Sequence, residues 1–596
     1  MLFLTTDGGM MSLQRIARLV LAFTLLTTPA AAIAQPAPLP PDAQTALNKG
    51  LAAANAQQWE TAIQNFQDAR KIAPNAPEID YDLGLAESKI PGRELRAVAW
   101  LAAYLTAAPN APNAAAVKNL IAELQIKTQG NIDRLIKAVD TADGLLPDTP
   151  ITHNGGITGK MTNKPDQDRI MSLFEVANLW ASSGKSAEAV EVAHRIGKAG
   201  YNETYSLSQI VGAQAGAGYI ADAIKTAASF NDVVWSEGAK LAIAEAQAKA
   251  GDLASARATL TTAQQTASGQ KSVYIKNSQA LDITRAQANV GDISGSQKTA
   301  QMIPSPFSRS WAQVAIAEAQ AKAGDVTGAR ASLASAQKAA ELWGSAPAAQ
   351  KKALCNCALS EPQDQSSLAS LEYRIGKLLG ESGEGAGARS VLRVAQKYTR
   401  LMPAAQKSYQ ASQIVEAQAN VGDFAGAQET AKLIAEAMWK GNAAMSLAEA
   451  QAKAGDFAGA QKTAELSGDS SIVSRTTYIV TQEQAKRSAA TQAAASDPAA
   501  SPKSAPPIPA NPAIAVSDWI VELDALNSPL FTDLPGSVRA PQQTYKTIYP
   551  GSSIDPSETD TKRTFKALAA IAQNIIAARN TIDQMLKRQF PQTAHP

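Results

Sequence analysis

The sequence predicts an all-α protein built from repeated pairs of helices, with a linked helical tail at its C-terminal end. Two features of the 596-residue chain support this prediction. The chain is 45% hydrophobic but only 5% aromatic, so its core must consist of many small contacts, and alanine both favours helix and lets helices pack closely. A short sequence centred on Gly-Asp also recurs along the chain, which indicates one structural unit used many times.

The beginning of the chain has the features of a secretory signal peptide. Arg15 and Arg18 form a basic region, residues 19–26 are apolar, and a small-x-small cleavage site ends at Ala34. The apolar run is shorter than the roughly 20 residues that a membrane-spanning helix needs, and no later segment is long and apolar enough. We therefore expect residues 1–34 to be removed, leaving a periplasmic or secreted protein without a membrane span.

Charge and metal-binding side chains argue against several classes of function. Lys and Arg total 55 against 53 Asp and Glu, so the chain lacks the basic excess typical of nucleic-acid-binding proteins and we expect no nucleic-acid partner. Cys355 and Cys357 are too few for a disulfide scaffold, and two thiols or one local bridge both remain open. The histidines, His153, His194 and His595, are far apart in the sequence, so we expect no metal site.

Two consecutive units near the N-terminus share a spacing of small, aromatic and proline residues. The first contains Gly50, Ala62, Phe66, Ala69 and Pro74, and the second contains Gly84, Ala97, Leu101, Tyr104 and Pro109. This order resembles the tetratricopeptide repeat (TPR), in which small residues let the two helices of a hairpin touch and proline ends the second helix. The resemblance implies an α-α superhelix, a TPR-like solenoid, of the kind found in exported bacterial repeat proteins.

The helices that follow these two units complete the predicted N-terminal TPR domain, which we assign to residues 35–145. We expect one helix at residues 113–128 and another at residues 132–145. Residues 146–168 are rich in proline and glycine and have no apolar period, so they are predicted to form a linker.

A second array repeats itself more closely, because residues 242–252 recur unchanged at residues 315–325. The turn glycines are Gly184, Gly218, Gly251, Gly291, Gly324, Gly383, Gly422 and Gly455. Their commonest spacing, 33 or 34 residues, is the TPR length. Glycine can end one helix in the left-handed conformation, and the aspartate that often follows can cap the next helix. We assign residues 169–487 to divergent TPR-like repeats, with an irregular hairpin in the long interval before Gly383.

The remaining chain is predicted to form a disordered linker and a helical C-terminal region. Residues 488–512 contain mainly Ala, Ser, Pro and charged residues, whereas residues 513–596 include apolar periods that predict helices at 516–526 and 561–590. This tail could cap an end of the solenoid or bind a partner, and capping is favoured because terminal repeats need covering.

The sequence contains no recognisable catalytic site. Residues 154–162 resemble a phosphate-binding loop, but Asn154 and Met161 stand where a P-loop needs Gly and Ser or Thr. The histidines do not lie in a nucleophile motif. We therefore predict a non-enzymatic protein with no catalytic residue and no cofactor. The alternative is an enzyme whose unrecognised site lies between residues 527 and 557.

The candidate binding positions lie six and two residues before the turn glycines of five repeats. They are Glu245 and Lys249, Arg285 and Asn289, Glu318 and Lys322, Glu416 and Asn420, and Glu449 and Lys453. Residues four apart share one helical face, and Glu before Lys stabilises a helix by roughly 0.2–0.5 kcal/mol. The simplest interpretation is therefore helix stabilisation.

The resemblance to TPR proteins supplies a functional interpretation of the same positions. In that family the first helix of each pair lines the concave, ligand-facing surface, which implies a protein or peptide partner here. A row of glutamines runs beside these positions: Gln214, Gln247, Gln287, Gln320, Gln418 and Gln451. Amides could bind a neutral chain such as a cell-wall glycan, or they could tie neighbouring helices together. The predicted role is an interaction scaffold in a bacterial envelope, with a glycan-binding accessory protein as the alternative.

Overall fold

The computed structural model describes residues 38–144, 164–230, 232–355, 361–494, 514–550 and 558–590. These residues form 28 α-helices and no strand, which confirms the predicted all-α class. The chain forms two compact units, which divide after Glu87.

The first unit contains α1 (Pro41–Asn55), α2 (Trp59–Ile72) and α3 (Pro77–Glu87). The second begins with α4 (Glu94–Ala107) and α5 (Ala114–Gly144). Its array consists of α6 (Lys164–Ser182), α7 (Ser186–Lys198), α8 (Glu203–Gly216), α9 (Ile220–Ala227), α10 (Val233–Lys249), α11 (Leu253–Ser268), α12 (Val273–Asn289), α13 (Ile293–Gln301), α14 (Pro306–Lys322), α15 (Val326–Gly344), α16 (Ala348–Cys355), α17 (Glu361–Glu381), α18 (Gly385–Arg400), α19 (Ala404–Asn420), α20 (Phe424–Ala431), α21 (Ala437–Ala454), α22 (Phe457–Leu466) and α23 (Ser470–Ala494). The C-terminal helices are α24 (Val516–Ala525), α25 (Pro529–Thr532), α26 (Leu534–Arg539), α27 (Pro541–Ile548) and α28 (Asp560–Gln589).

The first unit contains the small-to-aromatic contact that the TPR-like spacing predicts. The ring of Phe66 on α2 is buried and lies against Gly50 on α1, where a Cβ would clash with it. The carboxylate of Asp80 on α3 accepts a hydrogen bond from Arg70 Nε at 2.8 Å. Glycine at position 50 therefore allows the close approach of the first two helices.

A single helix, α5, replaces the two helices expected at residues 113–128 and 132–145, so that prediction is wrong. Gly130 and Asn131 lie inside the helix without interrupting it. A glycine in a helix interior costs only about 1 kcal/mol. The buried positions Ile121, Leu124 and Ile132 keep the helical period on both sides, and their burial outweighs that cost.

The array consists of helix pairs, each with a first and a second helix. The first helices are α6, α8, α10, α12, α14, α17, α19 and α21, and the second helices are α7, α9, α11, α13, α15, α18, α20 and α22. Each first helix packs against its own second helix and against the next first helix, with α23 after the last pair. The first helices therefore form a continuous layer, and we call its exposed side the first-helix face.

The turns between paired helices have the predicted Gly-Asp geometry. Gly251 has a φ of 84° and Gly455 a φ of 91°, in the left-handed region that glycine adopts without a steric penalty. Asp456 then caps the second helix by accepting a hydrogen bond from the Gly459 amide at 2.9 Å. Asp252 does the same with the Ser255 amide at 3.0 Å. The local sequence thus accounts for the geometry of these turns.

The long interval before Gly383 contains an additional short helix, α16, between α15 and α17. The irregular hairpin expected there stays a prediction, because residues 356–360 lie outside the described ranges. Helices α15 and α17 are also long, with 19 and 21 residues. Asn277 on α12 donates a hydrogen bond from Nδ2 to the Leu354 carbonyl of α16 at 2.5 Å. The position of Cys357 lies outside the described residues.

The C-terminal region folds against the beginning of the second unit. The structure confirms the helices expected at residues 516–526 and 561–590, as α24 and α28, and places three short helices between them. Helix α24 packs on α4, and α28 packs on α4, α5 and α6. The first part of the predicted linker, up to Ala494, belongs to α23, which was not foreseen because this stretch has no apolar period.

Candidate interaction surface on the first helices

Two of the predicted ion pairs form on the first-helix face. Lys249 Nζ lies 2.8 Å from Glu245 Oε1 on α10, and Lys453 Nζ lies 2.9 Å from Glu449 Oε1 on α21. The lysine of each pair is exposed. Exposed ion pairs of this kind contribute little to stability, so both charged side chains of each pair remain available to a ligand.

The other predicted positions do not form such pairs. Glu318 pairs with Arg374 on α17, with 2.7 Å between its Oε1 and Arg374 Nε, rather than with Lys322. Arg285 lies 3.4 Å from Asp282 on its own helix. Asn289, Lys322, Glu416 and Asn420 are exposed. The regular ladder of i,i+4 pairs is therefore wrong at α14, because an arginine of the next first helix competes for the carboxylate. Ligand binding at the ten positions stays a prediction.

The six glutamines that run beside the candidate binding positions lie inside the array rather than on its surface. Five of the six glutamines are buried and accept a hydrogen bond through Oε1 from a hydroxyl twelve residues later on the second helix. The pairs are Gln247 with Thr259 (2.9 Å), Gln287 with Thr299 (2.7 Å), Gln320 with Ser332 (2.8 Å), Gln418 with Thr430 (2.7 Å) and Gln451 with Thr463 (2.7 Å). Gln214 is also buried. These amides tie the two helices of a pair together, so they offer no support for a glycan site.

Removing one of these ties should destabilise its repeat. In Gln418→Ala, the buried Thr430 hydroxyl loses its acceptor on the first helix, and the space left by the side chain adds a cavity cost. We expect a loss of about 1–3 kcal/mol in the free energy of unfolding, measured by urea denaturation. Asn420→Ala, on the exposed side of the same helix, is the control and should change the free energy by less than about 0.5 kcal/mol. An equal loss of stability in the two variants would contradict a stabilising role for the Gln418–Thr430 hydrogen bond.

The chain's own last helix lies on the first-helix face of the first two pairs. The positions six and two residues before Gly184 are Asn178 and Ser182, and both line a cleft of about 460 Å³ between α28 and helices α6 and α8. Asn580 Nδ2 on α28 donates a hydrogen bond to the Ser182 carbonyl at 3.0 Å. The surface equivalent to the predicted binding positions therefore already contacts a helix in this part of the array.

Arg579 is the main polar contact of α28. Its guanidinium is almost fully buried and donates to the Ser183 carbonyl at 2.9 Å and to Asp583 Oδ2 at 3.0 Å. It also donates to the Tyr219 hydroxyl and to Gln129 Oε1. One side chain thereby joins α5 to the turns of the first two helix pairs. Because all of these partners except Asp583 are separated from Arg579 by hundreds of residues, local sequence could not have identified its role in joining these helices.

A second, open groove lies farther along the face, between α19, α21 and α23. It has a volume of about 800 Å³, and its lining includes Tyr409, Trp439, Met438 and Arg475. The rings of Tyr409 and Trp439 meet edge to face with 4.9 Å between their centroids. Met438 is 63% exposed and Tyr409 is 49% exposed. The described chain thus leaves these apolar side chains uncovered in a groove that polar side chains also line.

The remaining candidate residues do not assemble into a site in the described part of the chain. Among those residues, no three His, Cys, Asp or Glu side chains come close enough together to hold a metal ion. His194 Nδ1 lies 2.7 Å from Glu203 Oε1 on the surface. His153, His595 and residues 154–162 lie outside the described ranges. None of the helices in those ranges combines the length and apolar character of a membrane span.

Comparison with known proteins finds distant resemblance in solved structures only. No family model matches the sequence, and no curated protein matches it either. Yeast Tom70 is 12% identical with a TM-score of 0.28, over 77% of this chain and 91% of that one. The TPR domain of P58(IPK) is 12% identical with a TM-score of 0.16, over 74% of this chain and 99% of that one. At these scores the superpositions carry no argument about function.

The identification therefore stands on the helix pairs themselves. Eight helix pairs in the described part of the chain are joined by a left-handed glycine, and four of the seven intervals between these glycines have the TPR length of 33 or 34 residues. The first helices form one layer. The described part of the chain is therefore a helical repeat array whose commonest repeat length is that of a TPR.

Proposed function

We propose that this chain is a non-catalytic scaffold that binds protein segments along its first-helix face. The observation that supports the proposal is the position of α28, which lies on this face at α6 and α8 and is held by side-chain hydrogen bonds to turn carbonyls. A surface that accommodates one helix of its own chain has the shape and the hydrogen-bonding groups to accommodate a segment of another.

The part of the face beyond α8 has the chemistry that such a partner needs. Glu245 and Lys249 are exposed and of opposite charge, and the exposed Glu416 and Asn420 follow on α19. Exposed pairs exchange partners at little cost in free energy because water already screens them. A protein segment that carries both acidic and basic side chains can therefore replace the intramolecular ion pairs of the face one at a time. The pattern of complementary charges would set the direction in which the segment runs along the face.

We propose a bacterial cell envelope as the location, in the periplasm or outside the cell. The support is the N-terminal sequence, with its basic region, apolar run and small-x-small site before Ala34. Expression with a C-terminal tag, followed by fractionation and N-terminal sequencing, tests this part separately. A mature chain beginning at Gln35 is the expected result, and an uncleaved chain in the cytoplasm would contradict it.

Affinity capture tests the scaffold function. The chain from Gln35 onward is used as bait beside a variant with Glu245→Ala, Lys249→Ala, Glu318→Ala and Lys322→Ala, and each captured protein is purified and rebound. We expect to capture a partner protein that binds this variant at least tenfold more weakly than it binds the natural chain. Circular dichroism and thermal unfolding show that the variant is folded, which matters because Glu318 also pairs with Arg374.

A matched control variant places the same number of changes on the second helices. It carries Glu429→Ala, Lys432→Ala, Lys462→Ala and Glu465→Ala, all of which are exposed residues in or at the ends of α20 and α22. It removes two charges of each sign, as the first variant does. A partner that binds the first variant normally but loses affinity for the control would place binding on the second helices and refute the proposal.

A further inference from the structure

The array contains an internal duplication that relates α8 and α10 to α19 and α21. Residues 205–252 align with residues 409–456 without a gap, and the sequence Ser-Gln-Ile-Val occurs at 208–211 and again at 412–415. Both copies end with the same Gly-Asp turn. The two stretches can therefore be compared position by position.

Both copies place a tyrosine and a tryptophan together on consecutive first helices. Tyr205 and Trp235 have ring centroids 4.8 Å apart at 68°, and Tyr409 and Trp439 have centroids 4.9 Å apart at 66°. Such edge-to-face contacts are favourable because the positive edge of one ring meets the negative face of the other. The duplication has thus preserved both the residues and their geometry.

The copies differ in what lies against the tyrosine. In the first copy Tyr201, from the α7–α8 turn, has its ring centroid 6.2 Å from that of Tyr205 and 5.5 Å from that of Phe174. Position 405 of the second copy lies inside α19 rather than in a turn, and Trp439 is the one described aromatic ring that contacts Tyr409. Tyr409 is accordingly 49% exposed, whereas Tyr205 is only partly exposed. The first copy thus shows which kind of group fits beside this aromatic pair.

The groove around Tyr409 combines an apolar floor with a polar rim. Gln413 Nε2 donates a hydrogen bond to the Tyr409 hydroxyl at 3.0 Å, which fixes the ring. Met438 adds an exposed, polarisable thioether that adapts to different apolar partners. On the rim, Asn442 and Ser446 offer hydrogen-bonding groups to a main chain, and Arg475 is exposed and has no ion pair with a described residue. An apolar centre inside a polar rim is the usual organisation of a protein-binding surface.

We propose that this groove binds a protein segment through an aromatic side chain, which takes the place that Tyr201 fills in the first copy. This inference rests on the proposed scaffold function and specifies one anchor point on the first-helix face. An aromatic ring is favoured over an aliphatic side chain because only a ring can add a further edge-to-face contact to the Tyr409–Trp439 pair. Aromatic anchors in such grooves commonly dominate the affinity of protein segments.

A library of random 12-residue peptides displayed on phage, panned against the chain from Gln35 to Pro596, tests the inference. We expect the enriched peptides to carry Tyr, Phe or Trp, and fluorescein-labelled copies to be displaced by N-acetyl-tyrosinamide. Enriched peptides without an aromatic residue would overturn the inference, as would displacement by N-acetyl-chitotriose but not by N-acetyl-tyrosinamide, which would indicate a sugar site.

Two variants of the second copy locate the binding. Tyr409→Leu removes the ring that the aromatic anchor would contact and should weaken binding of the labelled peptide at least tenfold. Met438→Ser, at a position that is 63% exposed, should weaken it severalfold even if Tyr409→Leu folds poorly. Unchanged affinity for both would overturn the inference. If the same peptide nevertheless lost affinity for the variant at Glu245, Lys249, Glu318 and Lys322, the scaffold function would stand without this groove.

The first copy provides the matched control. Tyr201→Ala changes only the first copy, where Phe174 still has its ring centroid 5.4 Å from that of Tyr205, so the affinity for the labelled peptide should stay unchanged. Thermal unfolding checks that the variant remains folded. A folded Tyr201→Ala chain with a tenfold lower affinity would place the peptide away from the groove at Tyr409.

Discussion

Replacing Arg579 with alanine should release helix α28 from the beginning of the second unit. The guanidinium is buried and donates to Asp583, to the Ser183 carbonyl, and to side chains of α5 and the α8–α9 turn. Its removal takes one donor from Asp583, which keeps its hydrogen bond from Gln125, and takes the guanidinium from the Ser183 carbonyl. In a buried site this loss costs about 3 kcal/mol. Amide exchange in α28 should become roughly a hundredfold faster, because local opening requires that much less free energy.

Arg588→Ala is the control for this prediction. Arg588 lies in the last turn of the same helix and is exposed, so its removal should leave exchange in residues 560–580 unchanged. Hydrogen exchange followed by mass spectrometry resolves these peptides. If Arg579→Ala and Arg588→Ala gave the same protection, the guanidinium would not be what holds α28 in place.

Raising the pH from 5 to 8 should destabilise the array through Glu372. This side chain on α17 is buried, and burial raises its pKa from the ordinary 4.5 to about 8, with repulsion from Glu341 as a smaller cause. Between pH 4.5 and about pH 8, Glu372 therefore keeps its proton in the folded chain and has lost it in the unfolded chain. The favourable contribution is thus complete below pH 4.5 and is lost as the pH approaches 8.

Glu372→Gln should remove this pH dependence, since glutamine has nearly the same shape and does not titrate. We expect the variant to be more stable than the natural chain at pH 8, by on the order of a few kcal/mol, and the difference to shrink towards pH 5. Urea denaturation at several pH values measures it. Glu381→Gln, at an exposed position of the same helix, is the control. A parallel pH profile for Glu372→Gln and the natural chain would contradict the account.

Features that depend on local sequence could be predicted. The Gly251 and Gly455 turns follow from glycine's access to positive φ and from the aspartate cap next to it. The apolar period of residues 561–590 was sufficient to predict α28. The role of the glutamines could also have been resolved, because a hydroxyl stands twelve residues after each of the five that form ties.

Features that depend on distant contacts could not be predicted in this way. The docking of α28 joins Arg579 to residues about 400 positions away, and sequence periodicity shows only that the helix has an apolar side. The Glu318–Arg374 pair likewise forms between helices separated by the irregular interval before Gly383. Opposite charges four residues apart therefore indicate a possible pair, while tertiary packing decides the actual partner.

Photo-crosslinking tests the central claim, that partners bind on the first-helix face. A photoreactive phenylalanine analogue is placed in turn at Asn289, Lys322 and Asn420 on first helices, and at Lys298 and Lys338 on second helices, all of which are exposed. With a purified partner, we predict crosslinks from the first-helix positions and none from the second-helix positions. Crosslinks from Lys298 and Lys338 alone would contradict the account.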